Sequence, residues 1–385
     1  MTRFLHDDIF EVTFFALHLS QRKCIQGIVV HYLSRFPFQL NYEQFSHTDK
    51  NIFLVDMRRE KCFPMCELAE KGIEKFLREG KKIGILTHRR WYSSGKICHS
   101  CWHIPLCTHC DIAIAYHQGV DKQYFGLCHI CKRQYAVQNT CDACHSSDID
   151  RYGIGGQQLQ ELIEQRRGVT PCVIESDKVN SPAKITALQQ RLSASQLIIG
   201  TSLLVQPIKD IVFDLIIVAQ ADVGLHFPDY SANRNNFLLL YSLFTAHATP
   251  TFIVQTYTAD HYVIRHACQL DEQWFREQEL RKRKQWNYPP FTQLCVLLYK
   301  HEIEGRLYTS VHKLYQELLF LKETYGREDL ELYATPPTIY KVYGKFRYNI
   351  ILKGSDLRAF MDIAYSKLQM HSRGFKIDWQ PMQVV

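Results

Sequence analysis

Eight cysteines between positions 98 and 144 fall into four Cys-x-x-Cys pairs: Cys98/Cys101, Cys107/Cys110, Cys128/Cys131 and Cys141/Cys144. A turn of this kind converges two thiolates on one ion and leaves the intervening backbone N–H groups free to point at the sulfurs. Two pairs complete the closed tetrahedral four-thiolate shell of a structural zinc, so four pairs predict two Zn2+ ions. Cysteines that merely pack in a core would not repeat at one spacing. A disulfide framework is the other competitor, and it belongs to an oxidising compartment. The chain opens MTRFLHDDIFEV, without the long apolar core of a signal peptide, and no run approaches the ~18 apolar residues of a membrane span. The expectation is therefore a reducing, cytoplasmic setting with no membrane contact, where zinc is the chemistry that thiols perform. Cys24, Cys62, Cys66, Cys172, Cys268 and Cys295 lie in apolar or helical surroundings and are expected to pack as small hydrophobes. His99, His103, His109, His117, His129 and His145 stand near the pairs, but filled thiolate shells leave them as exposed polar residues.

The elements that hold these cysteines follow from length and patterning. A chain of 385 residues exceeds one compact core and suggests two or three domains. A net charge of +7 permits nucleic-acid binding without demonstrating it. Residues 1–48 are aromatic-rich, and FEVTFFALHLS and CIQGIVVHYLSRF suit short helices or strands equally. NIFLVDMRRE reads as a buried strand leaving into a charged turn. CELAEKGIEKFLREG carries Leu68, Ile73, Phe76 and Leu77 on one helical face, closed by Gly80. KKIGILTHRR is a second buried strand, and this strand–helix–strand order predicts a parallel sheet with a right-handed crossover.

After the cysteines the same rhythm resumes. GGQQLQELIEQRRG reads as a helix and TPCVIES as a strand. SPAKITALQQRLSA is a helix with Ser181 as N-cap and Pro182 first. SQLIIGT, FDLIIVAQAD and TFIVQTY are strands whose continuous apolar runs suit a sheet covered on both faces. The cysteine module at 97–147 is thus an insertion in one α/β lobe, 49–96 and 148–258. A linker, 259–291, carries one long helix over 260–284 that ends in four cations, Arg281 to Lys284. These suit the helix dipole or, alternatively, a phosphate. Tyr288-Pro289-Pro290 then opens a small α+β C-terminal domain, 292–385, of strands, a long helix near 302–323 and a shorter one near 356–369. Its loop PPTIYKVYGKFRYN interleaves Tyr340, Lys341, Tyr343, Lys345, Arg347 and Tyr348. Cations beside aromatics hold phosphates and stacked bases, although a solvated hairpin has the same composition.

The cysteine grid, C-x2-C-x5-C-x2-C followed by C-x2-C-x9-C-x2-C, resembles that of the PriA family of primosomal replication-restart helicases (primosomal protein N′). Flanking pieces agree in order: VDMRRE, ILTHRR, IIGTSLL, a PDY-containing loop, YPPFTQL and KFRYNIILKG. The likeness covers roughly residues 45 to 385 and implies a RecA-like second helicase lobe with the two-zinc module inserted. It implies nested sites, with Cys98, Cys101, Cys141 and Cys144 on one ion and Cys107, Cys110, Cys128 and Cys131 on the other. It also implies a C-terminal domain that helps hold branched DNA, with Lys345 and Arg347 in its basic loop, and the composition of that loop adds Lys341 and Tyr348 as candidate DNA contacts. Forked or single-stranded DNA, single-strand binding protein and other primosome components are the partners it suggests.

The departures concern ATP. A helicase motor needs a Gly-rich P-loop with Lys and Ser/Thr, and no such motif occurs in the chain. SSGK at 93–96 lacks the upstream glycine and precedes a cysteine pair rather than a helix. No Asp-Glu-x-His follows a buried strand. The first helicase lobe is thus expected to be missing, with at most a remnant in 1–48. The family's Gly-x-Gly-Thr-Glu becomes Gly153-Ile154-Gly155-Gly156-Gln157, and QPIKDIVFD replaces its Lys-Gly-x-x-Phe-Pro stretch. Its Gln-x-x-Gly-Arg-x-Gly-Arg becomes Ser242 to Thr249, without arginine. ATP and Mg2+ thereby lose the residues that would hold them, and no catalytic residue is assigned. The leading reading is a zinc-dependent DNA-binding protein without autonomous unwinding. The alternatives are a subunit or divergent form of an ATP-dependent 3′–5′ helicase and a zinc-dependent protein adaptor.

Overall fold

The computed structural model describes residues 42–381 apart from 88–94, 99, 102, 111, 119–123, 129–130, 153–155, 175–181, 206–207, 209–210, 227–228 and 369–373. The expectations for 1–41, and for Ser181 as a cap, lie outside the described residues. The rest groups into two compact units. One draws on 42–89, 156–223 and 237–271, the other on 90–155, 224–236 and 272–381.

The first unit is built on a seven-stranded sheet. Its strands are β1 (Tyr42–Ser46), β2 (Asn51–Asp56), β3 (Ile83–Leu86), β9 (Cys172–Val173), β10 (Leu197–Gly200), β11 (Leu215–Val218) and β12 (Thr251–Thr256), the five intervening strands belonging to the second unit. The spatial order is β1-β2-β12-β11-β3-β10-β9, and every pairing is parallel except β1 with β2. The expected parallel sheet is present, with an antiparallel edge strand that the pattern of residues 1–48 did not signal. Strands β3, β10, β11 and β12 are buried at every position, as continuous apolar runs require when both faces are covered.

Helix α1 (Glu67–Arg78) joins β2 to β3, which lie three strands apart in the sheet. Its buried face is Ala69, Gly72, Ile73 and Phe76. Leu68 and Leu77, expected on that face, are only half-buried because the small residues turn inward and let the helix approach the strands. The Cys66 thiol accepts from Ala69 N–H at 3.3 Å and caps the start. Gly80, at φ 70°, closes the end, and Lys81 N–H bonds back to Phe76. Three further helices follow: α2 (Gly156–Arg167), α3 (Pro182–Ala194) and α4 (Ala232–Ala246). The helix expected over 260–284 is in fact two, α5 (Tyr262–Cys268) and α6 (Glu272–Gln285). Leu270 takes φ 56°, and Asp271 N–H bonds to His266, so the chain turns there instead of continuing.

The second unit joins the cysteine segment to the C-terminal sheet. That sheet contains β13 (Gln293–His301), β14 (Glu331–Thr335), β15 (Lys341–Val342), β16 (Lys345–Gly354) and β17 (Phe375–Trp379), all antiparallel. Helix α7 (Glu304–Thr324) buries Leu307, Val311, Leu314, Leu318 and Leu321, a stripe at helical spacing. Helix α8 (Leu357–Lys367) adds Leu357, Phe360, Met361 and Ala364 to the same core.

Candidate metal centre

The cysteine segment has little hydrophobic material of its own. It contains the antiparallel pair β4 (Gly95–Cys98) and β8 (Ile149–Tyr152) and a three-stranded sheet of β5 (Ala115–Gln118), β6 (Tyr124–Leu127) and β7 (Gln134–Tyr135). Four local turns hold the cysteines, and one hydrogen bond recurs in all of them. The N–H of each pair's first cysteine donates to the carbonyl five residues on: Cys98 to His103 at 3.0 Å, Cys107 to Ile112 at 2.8 Å, Cys128 to Arg133 at 2.9 Å and Cys141 to Ser146 at 2.8 Å. In the two turns where the residue after the second cysteine is described, it is left-handed, Lys132 at φ 61° and His145 at φ 59°. The Cys-x-x-Cys spacing thus folds four times into the same knuckle.

The knuckles meet in two groups. Cys98, Cys101, Cys141 and Cys144 bring their sulfurs within 4.8 Å of one another, as do Cys107, Cys110, Cys128 and Cys131. The Cys98–Cys144, Cys101–Cys141 and Cys107–Cys131 sulfurs are 3.6, 3.6 and 3.7 Å apart. Tetrahedral bonds of about 2.3 Å to zinc place sulfurs about 3.8 Å from one another. A disulfide would need about 2.05 Å. Both groups therefore suit a metal ion of zinc size and thiolate preference, in the nested pairing that the resemblance implied.

The two groups differ in setting. Cys101 and Cys144 of the outer group are exposed, whereas Cys107, Cys110 and Cys128 of the inner group are wholly buried with Ile114 and Tyr116. Burial opposes ionisation of Cys107, but the Tyr135 hydroxyl, donating at 3.0 Å, and the His109 N–H hold that thiol down to about 7. Cys98 is likewise brought to about 7, against desolvation, by the N–H groups of Cys101 and Ser100 and by neighbouring thiols. Donors aimed at sulfur favour the thiolate that binds metal. Tyr135 carried no signal in the sequence, because its partner is 28 positions away.

Of the other cysteines, Cys66, Cys172, Cys268 and Cys295 are buried as expected, but Cys62 is exposed in the turn before α1. Burial pushes Cys66 and Cys295 up to about 12, which leaves both as inert thiols. Among the neighbouring histidines, His145 is exposed, and His99 and His129 lie outside the described residues. His109 departs from the expectation of an exposed residue. It is half-buried, with Nδ1 enclosed and without a hydrogen-bond partner among the described residues.

The four residues suggested as DNA contacts are all on strands. Lys341 lies on β15 and the other three on β16, so the stretch read as a loop is a hairpin. Lys345 is exposed and pairs with Glu302 at 3.6 Å. Lys341 stands 4.8 Å over the Phe346 ring. Arg347 is half-buried, its charge disfavoured by desolvation, and Nη1 reaches the Ile339 carbonyl at 3.4 Å. Tyr348 lines a surface cavity of about 190 Å³ with Tyr308, His312 and Tyr315. Of the linker cations, Arg283 bonds Glu279 at 2.9 Å and stands 5.2 Å over the Tyr230 ring, a packing role.

No family model matches the chain. Its sequence is similar to replication restart protein PriA of several bacteria. It is 29% identical to that of Bacillus subtilis over 318 residues, which are 78% of this chain and 38% of the relative. The protein of Borreliella burgdorferi is 25% identical over 349 residues, 87% of this chain and 51% of its own length. That of Thermotoga maritima is 26% identical over 318 residues, 80% and 41% respectively. The chain thus spans two fifths to one half of the length of these relatives. The resemblance read from the cysteine grid is a resemblance of most of the chain to replication restart protein PriA.

Proposed function

We propose that this chain is a zinc-stabilised, PriA-like replication-restart protein that binds forked or single-stranded DNA and does not by itself unwind it with ATP. The observation that carries the reading is the pair of four-cysteine groups with near-tetrahedral sulfur spacing, on a sequence similar to replication restart protein PriA along most of its length. In this reading the seven-stranded sheet corresponds to a RecA-like lobe. The cysteine segment and C-terminal domain form the DNA-holding part, and single-strand binding protein and other primosome components are the partners. Zinc, when bound, joins preformed knuckles into one rigid surface.

The ATP part rests on residue types. The stretch Ser242 to Thr249, where the family carries arginines, runs through the end of α4 with Leu243, Phe244 and His247 buried. Arginine fingers supply ~10³–10⁵ in rate, and none stands in this stretch.

Three measurements test the reading on the full chain. Metal analysis is expected to return two zinc per chain. Anisotropy with forked DNA should show affinity falling steeply with salt, since each phosphate contact contributes about one unit of log–log slope. DNA-stimulated ATP turnover should stay at background. Turnover that rises with DNA would overturn the claim about unwinding, and salt-independent or absent DNA binding would favour a protein adaptor.

A further inference from the structure

The hairpin of β15 and β16 turns through Tyr343 and Gly344, whose φ angles of 50° and 77° are those of a two-residue type I′ turn. Its tip lies on the inner cysteine group. The Tyr343 N–H donates to the Cys110 sulfur. The Gly344 N–H donates to the His109 carbonyl at 2.9 Å, and the His109 and Tyr343 rings meet edge-on at 6.3 Å. Lys341 Nζ reaches the Thr108 carbonyl at 3.4 Å, and Arg133 Nη1 lies 3.5 Å from the Thr108 hydroxyl. The hairpin therefore touches every residue that separates Cys107 from Cys110, and one of the two sulfurs. A Cβ on Gly344 would stand 2.9 Å from His109 Nε2, so a larger residue there must displace the His109 ring or the tip itself.

We propose that the C-terminal hairpin closes the outer shell of the inner metal site, so that zinc retention there and the placement of the hairpin are one coupled equilibrium. The consequence is an interaction surface assembled from two distant stretches of chain. Thr108 joins Arg133 of the cysteine segment to Lys341 of the hairpin. Lys345, which also pairs with Glu302, and the Tyr343 ring, 60% exposed, add a cation and an aromatic suited to the phosphates and bases of a single strand. Zinc loss at the inner site would dissolve this face by freeing the hairpin. The coupling rests on the zinc reading above but not on the DNA reading.

The test is chelator competition on the full-length protein, following zinc release from each site. Wild type should release two zinc in two phases, the slow one from the buried inner group. Gly344→Ala should speed the slow phase roughly 10- to 100-fold, the usual cost of a lost outer-shell contact. Gly326→Ala is the control, because Gly326 has φ 59° and nothing within 4 Å, so it carries the same backbone strain far from the metal. Tyr343→Asn suits the type I′ turn and keeps both N–H donors. Because it loses only the ring contact with His109, it should speed zinc release less than Gly344→Ala does, and it should weaken single-strand binding at low and high salt alike, as loss of a stacking ring does. An unchanged slow phase in Gly344→Ala, or an equal acceleration in Gly326→Ala, overturns the coupling. Fewer than two zinc in wild type overturns the metal reading instead. Two zinc with coupled release but no single-strand binding leaves the coupling standing and removes the DNA face.

Discussion

Single atoms decide how firmly the sulfurs hold an ion. Tyr135→Phe deletes one hydroxyl and with it the donor to Cys107. The inner site is expected to lose roughly tenfold in zinc affinity with the fold intact, measured by competition with a fluorescent chelator. Cys107→Ser goes further. It should leave one zinc per chain by metal analysis and unfold the inner knuckles, seen as rapid amide exchange around β5 to β7. His247 illustrates a different residue-scale effect. Burial lowers its pKa, and Nε2 bonds the Leu204 carbonyl at 2.8 Å. The folded state thus prefers a neutral ring more than the unfolded chain does. The stability this supplies is complete above about pH 6.5 and is lost as pH falls below it. Denaturation midpoints of wild type should therefore decline below that pH, and His247→Gln should flatten the decline while retaining a donor.

Elements are where sequence patterning spoke clearly and where it fell silent. Gln255 on β12 is fully buried, with Oε1 accepting from Cys66 N–H at 2.8 Å and Nε2 donating to Pro64 and Ala219 carbonyls at 3.1 and 3.0 Å. It ties the start of α1 to two strands. Gln255→Leu should cost about 2–4 kcal/mol in denaturant unfolding, since it strands several buried polar groups at once. Patterning alone marks β2, β3, β10, β11 and β12, because strands covered on both faces must be apolar throughout. It marks α7 for the same reason, through a stripe at helical period. It did not mark β1, whose burial alternates irregularly at a sheet edge, nor the break at Leu270, which depends on a left-handed residue with no glycine to announce it. At the site, the four cysteine pairs were legible because metal chemistry fixes their spacing. The hairpin at Tyr343 was not, because the residues that receive it are more than 200 positions earlier.

At the scale of the whole molecule, every cysteine of the two groups belongs to the unit that contains the C-terminal sheet, although in sequence the segment interrupts the strands of the parallel sheet. Zinc chelation should therefore loosen β4 to β8 and the β15–β16 hairpin while β2, β3, β11 and β12 keep their protection, as followed by hydrogen exchange resolved along the chain. Equal loss of protection in both units would contradict that division. The knuckles carry a last implication, for how the molecule is made. Each is held by its own backbone bond, and the inner quartet is bracketed within the outer one. During synthesis the residues of the inner quartet all emerge before the final outer pair, so the buried ion can be seated first and the exposed one added as the closing clasp.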